Sequence, residues 1–100
     1  MIELGGNISL SGFNQMDRDT IIIVKKIVGS YVKTLSEKNK NFKSLSLTLK
    51  TVHERENSEK YEMKGNLIAD KQYNAEITDY NLMIAIDKTL KKLEKSSEKW

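Results

Sequence analysis

Apolar and polar residues alternate along three successive segments in the middle of the chain, and this alternation constrains the fold more than any other feature. Side chains on a β-strand point to the two faces of a sheet in turn, so each segment predicts a strand with one apolar and one polar face. Because the strands follow one another closely, we expect an antiparallel meander whose apolar face must be covered. The apolar positions are Leu45, Leu47 and Leu49, then Tyr61, Met63 and Leu67, then Tyr73, Ala75 and Ile77.

The residues after the meander have helical periodicity. Wound at 100° per residue, residues 79–100 form an amphipathic helix with an apolar face and a face of lysines. Thr78 or Asp79 is expected to cap this helix. The apolar face consists of Leu82, Met83, Ile86, Leu90 and Leu93, and the opposite face carries Lys88, Lys91, Lys92, Lys95 and Lys99.

A short strand and another helix are predicted before the meander. Residues 1–6 contain two adjacent glycines and are interpreted as a loose lead-in. Residues 8–10 alternate and predict a strand. Asp17 or Asp19 can cap a helix that ends near Lys38, because apolar residues recur at helical spacing in between.

The resulting order, β-α-β-β-β-α, predicts a single α+β domain over residues 1–100. Two helices cover one face of a four-stranded sheet in a two-layer sandwich, with the first strand beside the second. A chain of 100 residues leaves little room for an enclosed catalytic cleft. It contains no cysteine, no apolar run long enough to cross a membrane and no signal-peptide pattern. We therefore expect a cytoplasmic, non-enzymatic protein without a cofactor, a small-molecule substrate or a membrane partner.

Lysines are unevenly distributed along the chain. Residues 25–50 contain seven lysines and one glutamate, and residues 88–100 contain five lysines and two glutamates. Residues 53–62, between them, contain four glutamates and two basic residues. This order, within a net charge of +3, favours a polyanionic partner such as nucleic acid. The alternative is that the lysines only keep a small domain soluble.

Several residues of the closing helix form a pattern known from one protein family. Ala85-Ile86-Asp87 is followed by Lys92-Leu93 and by a further basic residue, Lys95. The preceding strands match in spacing, including His53 near the end of the second strand, and the element order agrees. Over about residues 8–95 the chain therefore resembles the short form of the ribosome hibernation-promoting factor and ribosome-associated inhibitor family, also called sigma-54 modulation proteins. It departs from the family pattern at two positions of the helix, Asn81 and Met83.

The resemblance implies a double-stranded-RNA-binding-domain-like fold and a place on the small ribosomal subunit. There, members of the family bind ribosomal RNA in the channel for messenger and transfer RNA, and they block translation under stress. Among the lysines of the closing helix, Lys92 and Lys95 match basic positions of the family pattern. The sequence gives no oligomeric state.

The candidate RNA-binding residues are lysines on the outer faces of the two helices. Lysines without base-reading side chains suit A-form RNA, which offers phosphates and 2′-hydroxyls more than readable base edges. Lys26 and Lys33 are seven residues apart and therefore lie one above the other. The full set is Lys25, Lys26, Lys33, Lys88, Lys91, Lys92, Lys95 and Lys99.

A second hypothesis assigns the chain to protein–protein interaction. In that case the acidic hairpin 54–59 or the polar face of the sheet is the binding surface, and the lysines are only solvated. His53, with glutamates in a loop beside it, makes a poor metal site, so we expect neither a metal nor catalysis there. Trp100 can stack on a base or close the core, and Ile22 and Ile84 are expected to point outward.

Overall fold

The computed structural model describes residues 2–4, 7–13, 16–38, 40–55 and 58–98, with side chains from 7–13, 16–38, 40–52 and 59–96. The predicted α+β order is confirmed, and the sheet contains one strand more than the four expected. The elements are β1 (Ile2–Leu4), β2 (Ile8–Ser11), α1 (Arg18–Lys38), β3 (Ser44–Arg55), β4 (Ser58–Ile68), β5 (Gln72–Asp79) and α2 (Leu82–Glu98).

The strands form one mixed sheet in the order β1-β2-β3-β4-β5. β2 pairs with β3 in parallel, as α1 connects them, and β3, β4 and β5 form the predicted antiparallel meander. The interpretation of residues 1–6 as a loose lead-in is wrong for β1, which pairs antiparallel with β2. Asn7 takes a positive φ of 66° between them, a conformation that asparagine tolerates better than most residues.

Each helix begins at a side chain that accepts a hydrogen bond from its first turn. At α1 the Asp17 carboxylate accepts from the Thr20 backbone N–H at 2.7 Å, as one of the two predicted caps. At α2 the Asn81 side-chain oxygen accepts from the Ile84 N–H at 3.1 Å. The prediction of Thr78 or Asp79 as this cap is wrong, because β5 continues through both residues.

The core lies between the sheet and the two helices. α2 packs directly against Gly65 of β4, where a Cβ atom would come within 2.8 Å of side-chain atoms of both Thr89 and Leu93. Only glycine leaves room for this approach. The buried apolar side chains of this core are Ile8, Leu10, Leu45, Leu47, Leu49, Met63, Leu67 and Ala75 from the sheet, Phe13 from the connection between β2 and α1, and Val24, Val28, Val32, Leu35, Ala85, Ile86, Leu90 and Leu93 from the helices.

The two helices lie side by side and run in the same direction. The Tyr31 hydroxyl donates to Asp87 at 3.0 Å, and Lys38 donates to Glu94 at 3.1 Å. Both contacts join residues 56 positions apart, so one turn of α1 lies level with the turn of α2 that is 56 residues later. No helix in the described part of the chain is long and apolar enough to span a membrane.

Candidate nucleic-acid interface

The predicted RNA-binding lysines lie on the outer surface of the helix layer. Seven of the eight belong to the described residues, and all seven are exposed. Lys99 lies outside the described residues. The burial of the apolar stripes against the sheet accounts for this arrangement, because it turns the opposite face of each helix to solvent. The exposed lysines are Lys25, Lys26 and Lys33 on α1, and Lys88, Lys91, Lys92 and Lys95 on α2.

The parallel register determines which lysines are neighbours across the helix layer. Lys33 is level with Thr89, by the spacing of 56 residues that the two interhelical contacts define. The lysines of residues 88–92 are therefore at the same level along the helices as Lys33, in the middle of the layer. Lys26, two turns earlier, is level with Leu82, where α2 begins. The positive charge is thus concentrated along α2 and the middle of α1.

Two lysines of α2 are engaged in ion pairs within the chain. Lys91 contacts Asp87 at 2.9 Å, one helical turn away, and Lys88 contacts Asp79 at the end of β5 at 3.1 Å. The hydrogen bond from Lys91, followed by that from Tyr31, lowers the pKa of Asp87, and the same bond to Asp87 raises the pKa of Lys91. Because these pairs are exposed, they hold the two ammonium groups only weakly. Each of the two lysines is nevertheless less available to a phosphate than a lysine without a partner.

Five of the candidate lysines have no such partner among the residues that the structure describes. Within the described residues, no carboxylate lies within ion-pair distance of them. On α2 these are the two lysines that match the family pattern. An exposed lysine without an internal partner is a full charge available to a phosphate. The unpaired lysines are Lys25, Lys26, Lys33, Lys92 and Lys95.

An open groove of about 530 Å³ runs between the two helices. Its lining is mainly apolar and consists of Lys26, Ile27, Ser30, Tyr31 and Asp87. Partial burial, and then the hydrogen bond to Asp87, raise the pKa of the Tyr31 hydroxyl, so it remains a donor at neutral pH. The helix layer therefore combines exposed cations with a small apolar depression.

Three isoleucines of the helix layer are exposed. Ile22 and Ile84 point outward as predicted, each with 45% of its surface accessible. Ile23, at 48%, was not predicted to be exposed. It follows Ile22 directly and belongs to a run of four apolar β-branched residues, 21–24, in which hydrophobicity alone does not indicate the buried face.

The polar face of the sheet, one surface of the second hypothesis, carries an open concavity lined by residues of β3, β4 and β5 and by Lys92 of α2. Within it Lys64 pairs with Glu76 at 3.4 Å. In the β3–β4 hairpin, the Tyr61 hydroxyl donates to Glu59 at 3.0 Å, which raises the pKa of this tyrosine. The side chains of His53, Glu54 and Glu56, and all of Trp100, lie outside the described residues.

The acidic partners of Lys88 and Lys91 are not identified in the sequence analysis. Asp87 and Lys91 are separated by four residues on one helix, and this spacing alone indicates a pair. Asp79 and Lys88 are nine residues apart across a turn, and only the fold brings them together. The lysines were therefore placed correctly on the surface, but their availability could not be ranked.

The fold is similar to that of a solved structure. The crystal structure of the Thermus thermophilus Protein Y N-terminal domain matches with a TM-score of 0.53 and 15% sequence identity, over 89% of this chain and 90% of that chain. Protein Y belongs to the ribosome hibernation family that the closing helix resembles. No protein-family model matches the sequence, and neither does any curated protein. At this identity, the comparison establishes the shared fold.

Proposed function

We propose that this protein is a non-enzymatic, ribosome-associated RNA-binding protein that docks on the small ribosomal subunit and inhibits translation. It does so by occupying the channel for transfer and messenger RNA, in the cytoplasm. The observation that carries the proposal is the row of unpaired lysines on the helix layer of a fold shared with Protein Y. Lys92 and Lys95 are central to it, since they are exposed, unpaired within the described residues and matched to the family pattern.

The charge arrangement supports contact with RNA phosphates. Each lysine that neutralises a phosphate releases condensed counterions, so affinity falls steeply as salt rises. Lys92 and Lys95 lie three residues apart on one face of α2, and Lys33 adds an exposed charge on α1 at the level of Thr89. A rigid two-helix surface of this kind recognises the shape of folded RNA rather than its base sequence.

The inhibitory mechanism is steric. The described residues form a body with principal extents of 45 × 25 × 17 Å and a well-packed core. A body of this size, bound through one face, excludes other macromolecules from the site that it fills. The mechanism requires no reaction, so the protein acts only while it is bound.

The decisive experiment is co-sedimentation with purified ribosomal subunits on sucrose gradients at low and high salt. We expect the protein to travel with the small subunit at low salt and to leave it at high salt. If it fails to travel with the small subunit at any salt concentration, the proposal is wrong. Addition of transfer RNA and messenger RNA tests the location, because competition is expected if all three occupy the channel.

A matched pair of variants tests the lysine surface. Lys92→Gln with Lys95→Gln removes two charges from α2, and Lys50→Gln with Lys71→Gln removes two exposed charges from β3 and from the turn between β4 and β5. The α2 variant should reduce the slope of log affinity against log salt by about 2, roughly 1 for each phosphate that is no longer neutralised. The sheet variant should leave that slope unchanged. Equal effects of the two variants would mean that net charge, and not the helix surface, determines binding.

The same assay separates the proposal from the interaction hypothesis. If the acidic hairpin is the binding surface, reversing the charges of Glu54, Glu56 and Glu59 abolishes association while the lysine changes have no effect. If the helix surface binds RNA, the hairpin variant associates normally or more tightly, because three negative charges have been removed from a protein that binds a polyanion.

A further inference from the structure

The outer edge of β5 is an edge of the sheet beside α2, whose Lys88 contacts Asp79 at the end of this strand. β5 is the last strand in the sheet order and pairs on one side with β4. Within the part of the chain that the structure describes, no strand pairs with its other side. Such an edge presents a row of backbone N–H and C=O groups that can pair with another strand.

This edge lacks most of the features by which proteins protect free strands. Proline, edge lysines and β-bulges are the common ones. The eight residues of β5, QYNAEITD, include neither proline nor lysine, and their register with β4 is unbroken from Asp79 to Gln72. The two acidic residues are already paired, Glu76 with Lys64 and Asp79 with Lys88. β5 is therefore a regular edge whose charges are largely compensated.

We propose that β5 pairs with β5 of a second copy of this chain, antiparallel, about a two-fold axis at Ala75. In this register Ala75 faces Ala75 of the second copy, Tyr73 faces its Ile77, and Asn74 faces its Glu76. An aromatic residue opposite a β-branched residue is a favourable cross-strand pair, and the symmetry makes it occur twice. Odd-numbered residues face odd-numbered residues and even-numbered residues face even-numbered ones, so side chains that point to the helix side in one copy do so in the other. The two sheets therefore join into one ten-stranded sheet with all four helices on the same face.

The strand's own sequence selects this register. An axis at Glu76 would place two glutamates directly opposite each other, which is unfavourable. An axis at Asn74 would shorten the overlap to residues 72–76 and leave Ile77 without a partner. The axis at Ala75 is the one that avoids like charges and pairs seven residues, 72–78.

The helices leave room for the second copy. α2 crosses the sheet above Gly65 of β4, one strand in from the edge. Three strand spacings of about 4.8 Å then separate the two copies of α2 at this level, or about 14 Å. This exceeds the 8–10 Å between packed helices. The second copy can therefore approach without a clash between helices.

Analytical ultracentrifugation of the full chain at increasing concentration tests the proposal. We expect a weak dimer, with a dissociation constant in the micromolar to millimolar range, as for small interfaces. Asn74→Glu places two pairs of glutamates opposite each other and should raise the dissociation constant about tenfold. Asn74→Lys, at the same exposed position, faces Glu76 of the second copy and should not weaken the dimer. Asn74→Glu combined with Glu76→Lys restores opposite charges and should restore dimerisation.

Cross-linking tests the register directly, because the natural chain has no cysteine. An oxidised mixture of Asn74→Cys and Glu76→Cys proteins should yield a disulfide-linked heterodimer, whereas Asn74→Cys mixed with Thr78→Cys should not. A chain that remains monomeric at millimolar concentration overturns the proposal, and so does equal cross-linking in both mixtures. Ribosome association is measured with single copies in dilute solution, so failure here is distinguishable from failure of the proposed function.

Discussion

Glycine to alanine substitutions at Gly65 and Gly29 should change stability in opposite directions. At Gly65 a Cβ atom would lie 2.8 Å from Leu93 Cδ1 and from Thr89 Cγ2, and 3.3 Å from Leu47 Cδ2. At Gly29 a Cβ atom would meet nothing within 4 Å. The same chemical change therefore creates a clash between α2 and β4 at one site and fills open space at the other.

The magnitudes follow from these contacts. Overpacking of a core typically costs about 1–3 kcal/mol, and the lower entropy of the unfolded chain returns roughly 0.4–1 kcal/mol. We expect Gly65→Ala to lower the free energy of unfolding by about 1–2 kcal/mol. Gly29→Ala should raise it by about 0.5–1 kcal/mol, since alanine is the better helix former. Urea unfolding measures both, with unchanged m-values expected.

A double-mutant cycle identifies the contact responsible. Thr89→Ser removes Cγ2, one of the two closest atoms, and keeps the hydroxyl that donates to the Ala85 carbonyl oxygen at 2.7 Å. In the Gly65→Ala background this second change should recover about 0.5–1 kcal/mol relative to the sum of the single changes. Additive effects, or a Gly65→Ala protein as stable as the natural one, would show that α2 does not rest on Gly65.

Two further predictions concern the start and the side of α2. Asn81→Ala removes the cap of this helix and should cost about 1 kcal/mol in chemical denaturation, while Asn81→Asp keeps an acceptor for the Ile84 N–H and should cost little. Acid titration of Asp87→Asn tests the Asp87 pKa, which Lys91 and then Tyr31 lower from its ordinary value of 3.8. A lowered pKa in the folded state contributes stability above the unfolded pKa, and this contribution is lost as pH falls through the folded pKa. The natural protein and the variant should therefore converge in stability as the solution is acidified below about pH 4.

The meander and the helices could be predicted because apolar residues recur in each with a clear spacing, every second residue in the strands and every three or four residues in the helices. Leu45, Leu47 and Leu49 alternate over a stretch long enough to exclude a helix, and α2 repeats its apolar residues over several turns. β1 could not be predicted in this way. Three residues contain no measurable period, and β1 becomes a strand because Ile2 can pair with Leu10 across the turn at Asn7. Tertiary pairing, not local pattern, determines this strand.

The start of α2 illustrates a competition between two structures. Thr78 and Asp79 have the residue types of helix caps, and their position before an apolar run favours that interpretation. In the structure they still pair with Glu62 and Tyr61 of β4, so the helix starts later. Asp79 instead accepts from the Asn81 backbone N–H at 3.0 Å, which holds the turn that leads to the true cap.

The functional surface could be predicted in outline but not in detail. Helical geometry places the lysines outside, since the apolar stripe must face the sheet. It does not give the axial register of the two helices, which is defined by the hydrogen bonds from Tyr31 to Asp87 and from Lys38 to Glu94. It also does not show that Asp79 reaches Lys88. These are contacts between elements, and their energies depend on packing that a single sequence does not display.

The packing at Gly65 connects the stability of the fold to the proposed RNA surface. Leu93, which packs on Gly65, follows Lys92 directly and lies two residues before Lys95. The contact that positions α2 on the sheet therefore also determines how far these two ammonium groups lie from the sheet. Lys92 and Lys95 are three residues apart, which is about 4.5 Å along the helix axis at a rise of 1.5 Å per residue and is shorter than the Debye length of about 8 Å at physiological salt. Their fields therefore add, and a displacement of α2 would move both charges as well as weaken the core.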